Sequence, residues 1–159
     1  MREDKKLEEK EWRVVNNLAK ELFPNMTLKQ ARGISEEIRA CRGEPETERF
    51  VSYKEILCEV CEKMFTDGWK WVSQPEGNTT FVCDECDYTA LIALTRANQI
   101  IEQLEDKVQA EICNNPLVST TELCSIFNVD RTEMARILVR LESDGRIRWV
   151  TLEERRPNP

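Results

Sequence analysis

Four cysteines fall in two pairs, Cys58-Glu59-Val60-Cys61 and Cys83-Asp84-Glu85-Cys86, separated by 21 residues in a chain of 159 residues that has no histidine. A Cys-x-x-Cys step places two sulfurs on one tight turn, and four thiolates satisfy the tetrahedral preference of Zn²⁺. Four cysteines also close the coordination shell, whereas a catalytic zinc keeps an open position beside three protein ligands. The cofactor expected from Cys58, Cys61, Cys83 and Cys86 is therefore one structural Zn²⁺ per chain. Disulfide pairing is the rival chemistry. It fits poorly with seven cysteines, an odd number, in a chain long for a disulfide-stapled domain. The start, Met1-Arg2-Glu3-Asp4-Lys5-Lys6, leads into no apolar signal core, so the expected setting is cytoplasmic or nucleoid-associated.

Without histidine, Ser-His-Asp, Cys-His and His-ligated metal mechanisms are excluded. Five glycines leave little material for a phosphate-cradling loop, and no P-loop, dinucleotide turn or nucleophile elbow is present. The chain is expected not to be an enzyme. No apolar run approaches the roughly 18 residues of a membrane span.

The segment between the cysteine pairs must bring them together. Trp69-Lys70-Trp71-Val72-Ser73 and Thr79-Thr80-Phe81-Val82-Cys83 flank Gln74-Pro75-Glu76-Gly77-Asn78. Aromatic and β-branched runs around a Pro- and Gly-containing turn predict a hairpin. Knuckle, hairpin and knuckle together resemble a zinc ribbon, spanning residues 44–88. A rubredoxin-like iron site would show Gly and Pro neighbours that neither pair carries. Trp69 and Trp71 lie two residues apart on one side of their strand. They either cover the ribbon's small core or anchor a protein partner, since Trp is enriched at binding hot spots.

Around this centre the periodicity predicts helices. Residues 1–43 hold a helical pair: residues 3–22 with Leu7, Val14, Val15, Leu18 and Leu22 in a stripe widened by Trp12 and Ala19, then a helix capped by Thr27 and running to Arg42. Cys41 lies on the second apolar stripe and reads as a buried small hydrophobe. Phe50-Val51-Ser52-Tyr53 reads as a short strand or helical turn entering the ribbon. Residues 89–115 form a connecting helix, with Ala90, Leu94, Ala97, Ile101, Leu104 and Val108 in a heptad-like seam. That seam serves either packing within the chain or a homodimer through helix 89–113.

Residues 116–159 change pattern. Ser119-Thr120-Thr121-Glu122-Leu123 opens a short helix, Asn128-Val129-Asp130 is a turn, and Arg131 to Ser143 is a second helix faced by Met134, Ile137, Leu138 and Leu141. Asp144-Gly145 signals a tight turn before an expected strand, Arg146-Ile147-Arg148-Trp149-Val150. Thr120, Glu122, Leu123, Val129, Leu138, Leu141, Glu142, Gly145 and Ile147 occupy places that make this run resemble the winged helix-turn-helix of bacterial and archaeal transcription regulators. The resemblance covers about 35 residues. It implies that the second helix enters a DNA major groove, with Arg131, Thr132, Glu133, Arg136 and Arg140 outward and Arg146 and Arg148 on the wing. Zinc ribbons joined to winged helices also resemble parts of basal transcription factors such as the factor E family, where the two modules come in the opposite order. The fold class expected is α+β, mainly α.

Net charge is −7, unevenly placed. Residues 50–87 carry 3 basic and 8 acidic side chains, while residues 116–159 carry 7 of each. An acidic ribbon bearing Glu59, Glu62, Asp67, Asp84, Glu85 and Asp87 repels phosphate and suits a protein partner. The functional expectation is a zinc-stabilised, DNA-binding accessory or transcription-regulator-like protein, its winged helix on DNA and its acidic ribbon docking a protein. The alternative is a protein-docking adaptor of a phage, transposon or CRISPR-type assembly that reads no DNA directly. A third is a sensor in which metal loss or oxidation of the cysteines alters DNA binding.

Overall fold

The computed structural model describes residues 8–42, 47–73 and 77–149. It is mainly helical with one small sheet: α1 Glu9–Leu22, α2 Leu28–Arg42, β1 Glu48–Leu57, β2 Met64–Val72, β3 Thr79–Cys83, α3 Asp84–Asn114, α4 Thr120–Phe127 and α5 Arg131–Ser143. Two compact units meet within α3, one ending at Ile101 and the other starting at Glu102.

In the first unit, α1 contributes Val15 and Ala19 to a cluster with Leu91 and Ile92 of α3. Val14 and Leu22, expected on that stripe, are exposed, as is Trp12. Leu7 lies outside the described residues. The inward face is thus narrower than the sequence pattern, because one helix of α3 covers it. Thr27 and Gln30 form a reciprocal capping box, Thr27 N–H to Gln30 Oε1 at 2.9 Å and Gln30 N–H to Thr27 Oγ1 at 3.2 Å, which starts α2 where its sequence predicts. Ala31 then packs with Ala97 and Ile101 of α3. Leu94, Ala97 and Ile101 of the heptad-like seam are buried inside this unit, so intramolecular packing occupies that part of the seam. Cys41 is exposed, contrary to the expectation of a buried hydrophobe. The inward position at the end of α2 belongs instead to Arg42, which is drawn to a buried carboxylate.

The sheet is an antiparallel meander in the order β1-β2-β3. β2 and β3 pair from Val72↔Thr79 to Gly68↔Cys83, as the hairpin pattern requires; residues 74–76 of the connecting turn lie outside the described residues. β1 runs for ten residues, and its register with β2 shifts between Val51 and Ile56. The segment read as a short strand or helical turn is therefore the middle of a bulged edge strand. Gly68 is where backbone and ring approach: a Cβ there would lie 2.4 Å from the Val82 carbonyl oxygen and 2.3 Å from Phe65. Only glycine lets β3 close onto β2 at that point.

The second unit packs α4 and α5 on the last part of α3. Val108, Val118, Leu123, Met134, Ile137, Leu138 and Leu141 form its core, with Cys124 half-buried beside them. Ser119 caps α4 by accepting from Glu122 N–H, and Asp130 caps α5 by accepting from Glu133 N–H at 2.7 Å. Asn128, in the left-handed conformation at φ 52°, makes the turn between them. The expected wing strand is a correction. Residues 146–149 form no strand, and Val150 lies outside the described residues. A strand needs a partner ladder; the Arg146 N–H instead closes onto Leu141 C=O at 2.8 Å, and its side chain reaches Gln109 and Asp106 of α3.

Candidate metal centre

The first cysteine pair sits where β1 turns into β2. Cys58 N–H donates to Lys63 C=O at 2.8 Å and Glu62 N–H to Cys58 C=O at 2.9 Å, closing a knuckle. Glu62 adopts φ 66°, a left-handed backbone that non-glycine residues seldom use. The knuckle is tied to β3 through Glu59 N–H to Phe81 C=O at 3.1 Å and Phe81 N–H to Glu59 Oε2 at 2.6 Å.

The second pair differs from its expected form. Cys83 is the last residue of β3, and Cys86 lies in the first turn of α3, which begins five residues before the expected 89. Asp84, Glu85 and Asp87 crowd that first turn, where the helix dipole favours acidic side chains.

The four sulfurs lie within 4.8 Å of one another, and Cys61 and Cys83 Sγ are 3.7 Å apart. Sulfurs bound tetrahedrally to zinc at about 2.3 Å are separated by about 3.8 Å. A disulfide needs about 2.05 Å. All seven cysteines are free thiols. The chain thus presents a four-sulfur cluster able to hold a metal ion and compatible with zinc.

Protonation is uneven among Cys58, Cys83 and Cys86. Burial opposes ionisation of Cys58, but hydrogen bonds from the Cys61, Cys83 and Val60 backbone and from the Cys61 side chain outweigh it and bring the thiol down to about 6. Burial pushes Cys83 up. Burial, reinforced by the neighbouring Cys83, Cys61 and Cys58 groups, pushes Cys86 up well above the ordinary thiol range.

Beneath the cluster, Trp69 and Trp71 are 5% and 6% exposed. They pack with Cys58, Val82, Cys83 and Phe65, so the core role holds and no indole surface is available as a partner anchor. Each indole N–H donates to a carboxylate of α3, Trp69 to Asp84 Oδ1 at 2.9 Å and Trp71 to Asp87 Oδ1 at 2.8 Å. Asp87 is fully buried and also accepts from Arg42 Nε at 3.1 Å, which removes it from the acidic face. Arg49 pairs with Asp84 and lies over the Trp69 ring at 5.5 Å. Neither arginine carries a sequence signal for this role: Arg42 reads only as the end of the second helix, and Arg49 precedes the segment read as the ribbon's entry.

On α5, Arg131, Thr132, Arg136 and Arg140 line one shallow outward groove with Ala135 and Val139. Glu133 is turned away, only 12% exposed at its side chain and 3.9 Å from Arg136. Arg140 Nε lies 3.4 Å from Glu105 Oε2 and 4.0 Å from Asp144 Oδ2. Arg146 is bound to Gln109 and Asp106, apart from that groove, and Arg148 is exposed outside regular structure. No helix among the described residues is long and apolar enough to cross a membrane. No protein-family model matches this chain, and neither does any curated protein sequence or solved structure.

Proposed function

We propose that the chain is a non-enzymatic DNA-binding accessory protein, stabilised by one structural zinc and acting beside the nucleoid. The observation carrying this reading is the outward face of α5. It follows a capped short helix and a three-residue turn, and it gathers Arg131, Thr132, Arg136 and Arg140 with the small side chains of Ala135 and Val139. Arg reads guanine or holds phosphate, and Ala, Val or the Thr methyl packs against a thymine methyl. Cys58, Cys61, Cys83 and Cys86 hold the zinc, whose closed four-sulfur shell supplies cohesion and no open site for chemistry.

Binding to duplex DNA across a salt series tests the reading. Arg136→Ala is expected to weaken binding and to lower the salt slope by about one if it holds a phosphate, or to cost about 1–3 kcal/mol on preferred sequences if it holds a base. Arg131→Ala should behave alike, and Arg146→Ala should change little. No binding at 50 mM salt, or equal binding by the wild type and both groove variants, refutes it.

A protein-docking adaptor that reads no DNA is the second reading. It is favoured by the pairing of Arg140 with Glu105 and of Arg146 with Asp106, which occupies two of the expected DNA cations within the chain.

The zinc assignment has a pH signature. Burial raises the thiols of Cys83 and Cys86, which hold protons at neutral pH, and zinc must expel them. Apparent affinity therefore rises with pH, by at least about a hundredfold per unit from those two protons. Chelator competition at pH 6, 7 and 8 measures it. A flat profile argues against thiolate ligation.

A further inference from the structure

Trp69 and Trp71 being internal, the metal unit's exposed apolar side chains lie elsewhere. Val51 is 68% exposed, Tyr53 projects fully, and Leu57, Val60 and Met64 are 50%, 57% and 53% exposed. Leu57 and Met64 are register partners on adjacent strands, and Val60 stands in the knuckle joining those strands. The pairing of β1, an edge of the sheet, with β2 is interrupted from Val51 to Ile56, and beyond that break Val51, opposite Asp67, falls on the other face of β2 from Leu57 and Met64, so the strip is Leu57, Val60 and Met64. A long edge strand with outward apolar side chains is a template for association, and contiguous exposed apolar surface marks an interaction site.

We propose that this strip, centred on Leu57, Val60 and Met64, docks a polypeptide segment of another protein in which apolar side chains alternate with Lys or Arg. The proposal rests on the second reading above, protein docking, and gives it a surface and a partner chemistry. Charge selects the occupant. Glu55, Glu59 and Glu62 are exposed around the strip; Lys54 of β1 is exposed as well, while Lys63 is paired with Glu85 and Arg49 with Asp84, so the rim stays acidic. A metal-bound tetrathiolate adds a charge of about −2 beside Val60. A second copy would set this acidic rim against itself, and nucleic acid or an anionic membrane would be repelled. A basic, apolar segment complements both the rim and the strip.

The test uses the full zinc-loaded chain and two labelled synthetic peptides, one alternating Leu with Lys and one alternating Leu with Glu, followed by fluorescence anisotropy. The Lys peptide is expected to bind with a Kd below about 100 µM, at least tenfold tighter than the Glu peptide. Leu57→Ser with Val60→Ser should weaken it tenfold or more with zinc content unchanged. Glu62→Lys with Glu55→Lys, which leaves the apolar strip intact, should weaken it and flatten its salt dependence. If the Lys peptide binds both double variants as tightly as the wild type, the strip is the wrong surface although the unit still docks a protein. If neither peptide binds the wild type, the docking reading falls as well. Equal binding of the two peptides, or a concentration-dependent dimer lost in Leu57→Ser with Val60→Ser, overturns the partner chemistry.

Discussion

Cys83→Ser, or removal of the metal by a chelator, is expected to dissolve the tertiary structure around the sheet while leaving the second unit folded. The sheet's buried core is small: Cys58, Trp69, Trp71, Val82 and Cys83, three of them aromatic or aliphatic and two of them ligands. Such a core supplies little stability by itself, and structural zinc contributes roughly 10–16 kcal/mol of apparent binding free energy that is realised as folding. Cys83 lies at the hinge of the arrangement. It ends β3, precedes α3, and its N–H points at Cys58 Sγ, 3.4 Å away. Serine keeps the shape and loses the thiolate. Tryptophan emission should shift to the red as Trp69 and Trp71 meet water, and amides of residues 64–72 should lose hydrogen-exchange protection. The core of Val108, Met134, Ile137 and Leu141 contains no ligand and should keep its protection. Unchanged protection over 64–72 in the metal-free protein would show that packing alone holds the sheet.

Asp87→Ala is expected to cost about 3–5 kcal/mol, the range for removing one partner of a buried ion pair. The carboxylate is fully buried, and its Oδ1 receives both Arg42 Nε and Trp71 Nε1. Its removal takes away the shared acceptor of the Arg42 guanidinium, whose side chain is 10% exposed, and of the buried Trp71 indole N–H. Replacing both charges by apolar groups, Arg42→Met with Asp87→Leu, should recover much of the loss, since an apolar pair of similar volume carries no desolvation penalty. Trp71→Phe removes one hydrogen bond and part of a ring, a milder loss. Urea unfolding of the zinc-loaded protein measures all three. A loss under 1 kcal/mol for Asp87→Ala would mean that the pair is solvated in solution.

The cysteine spacing made the metal cluster legible from sequence, and apolar spacing with Ser119 and Asp130 caps made α4 and α5 legible. Both signals are local, and nothing elsewhere in the chain competes with them. The start of α3 was hidden because Cys83-x-x-Cys86 imitates a second knuckle. The sign that tells against the knuckle is the acidic run Asp84, Glu85 and Asp87, which marks a helix start. Alternation placed Trp69 and Trp71 on a common face. Which face lies inward depends on what covers it, and that is α3, a contact no local pattern encodes. The wing failed for the same reason: Arg146 to Trp149 have strand-forming side chains, but a strand needs a neighbour, and Gln109 and Asp106 claim Arg146 first.

Glu62 occupies a backbone conformation at φ 66° that costs an L-residue with a full side chain on the order of 1 kcal/mol. The knuckle needs that bend immediately after Cys61, and glycine would supply it without strain. A glycine there would let the empty turn persist and so blur the boundary between loaded and unloaded protein. The strained glutamate does the reverse. It discourages the knuckle from forming ahead of its ion, so order follows occupancy, at some cost in apparent affinity.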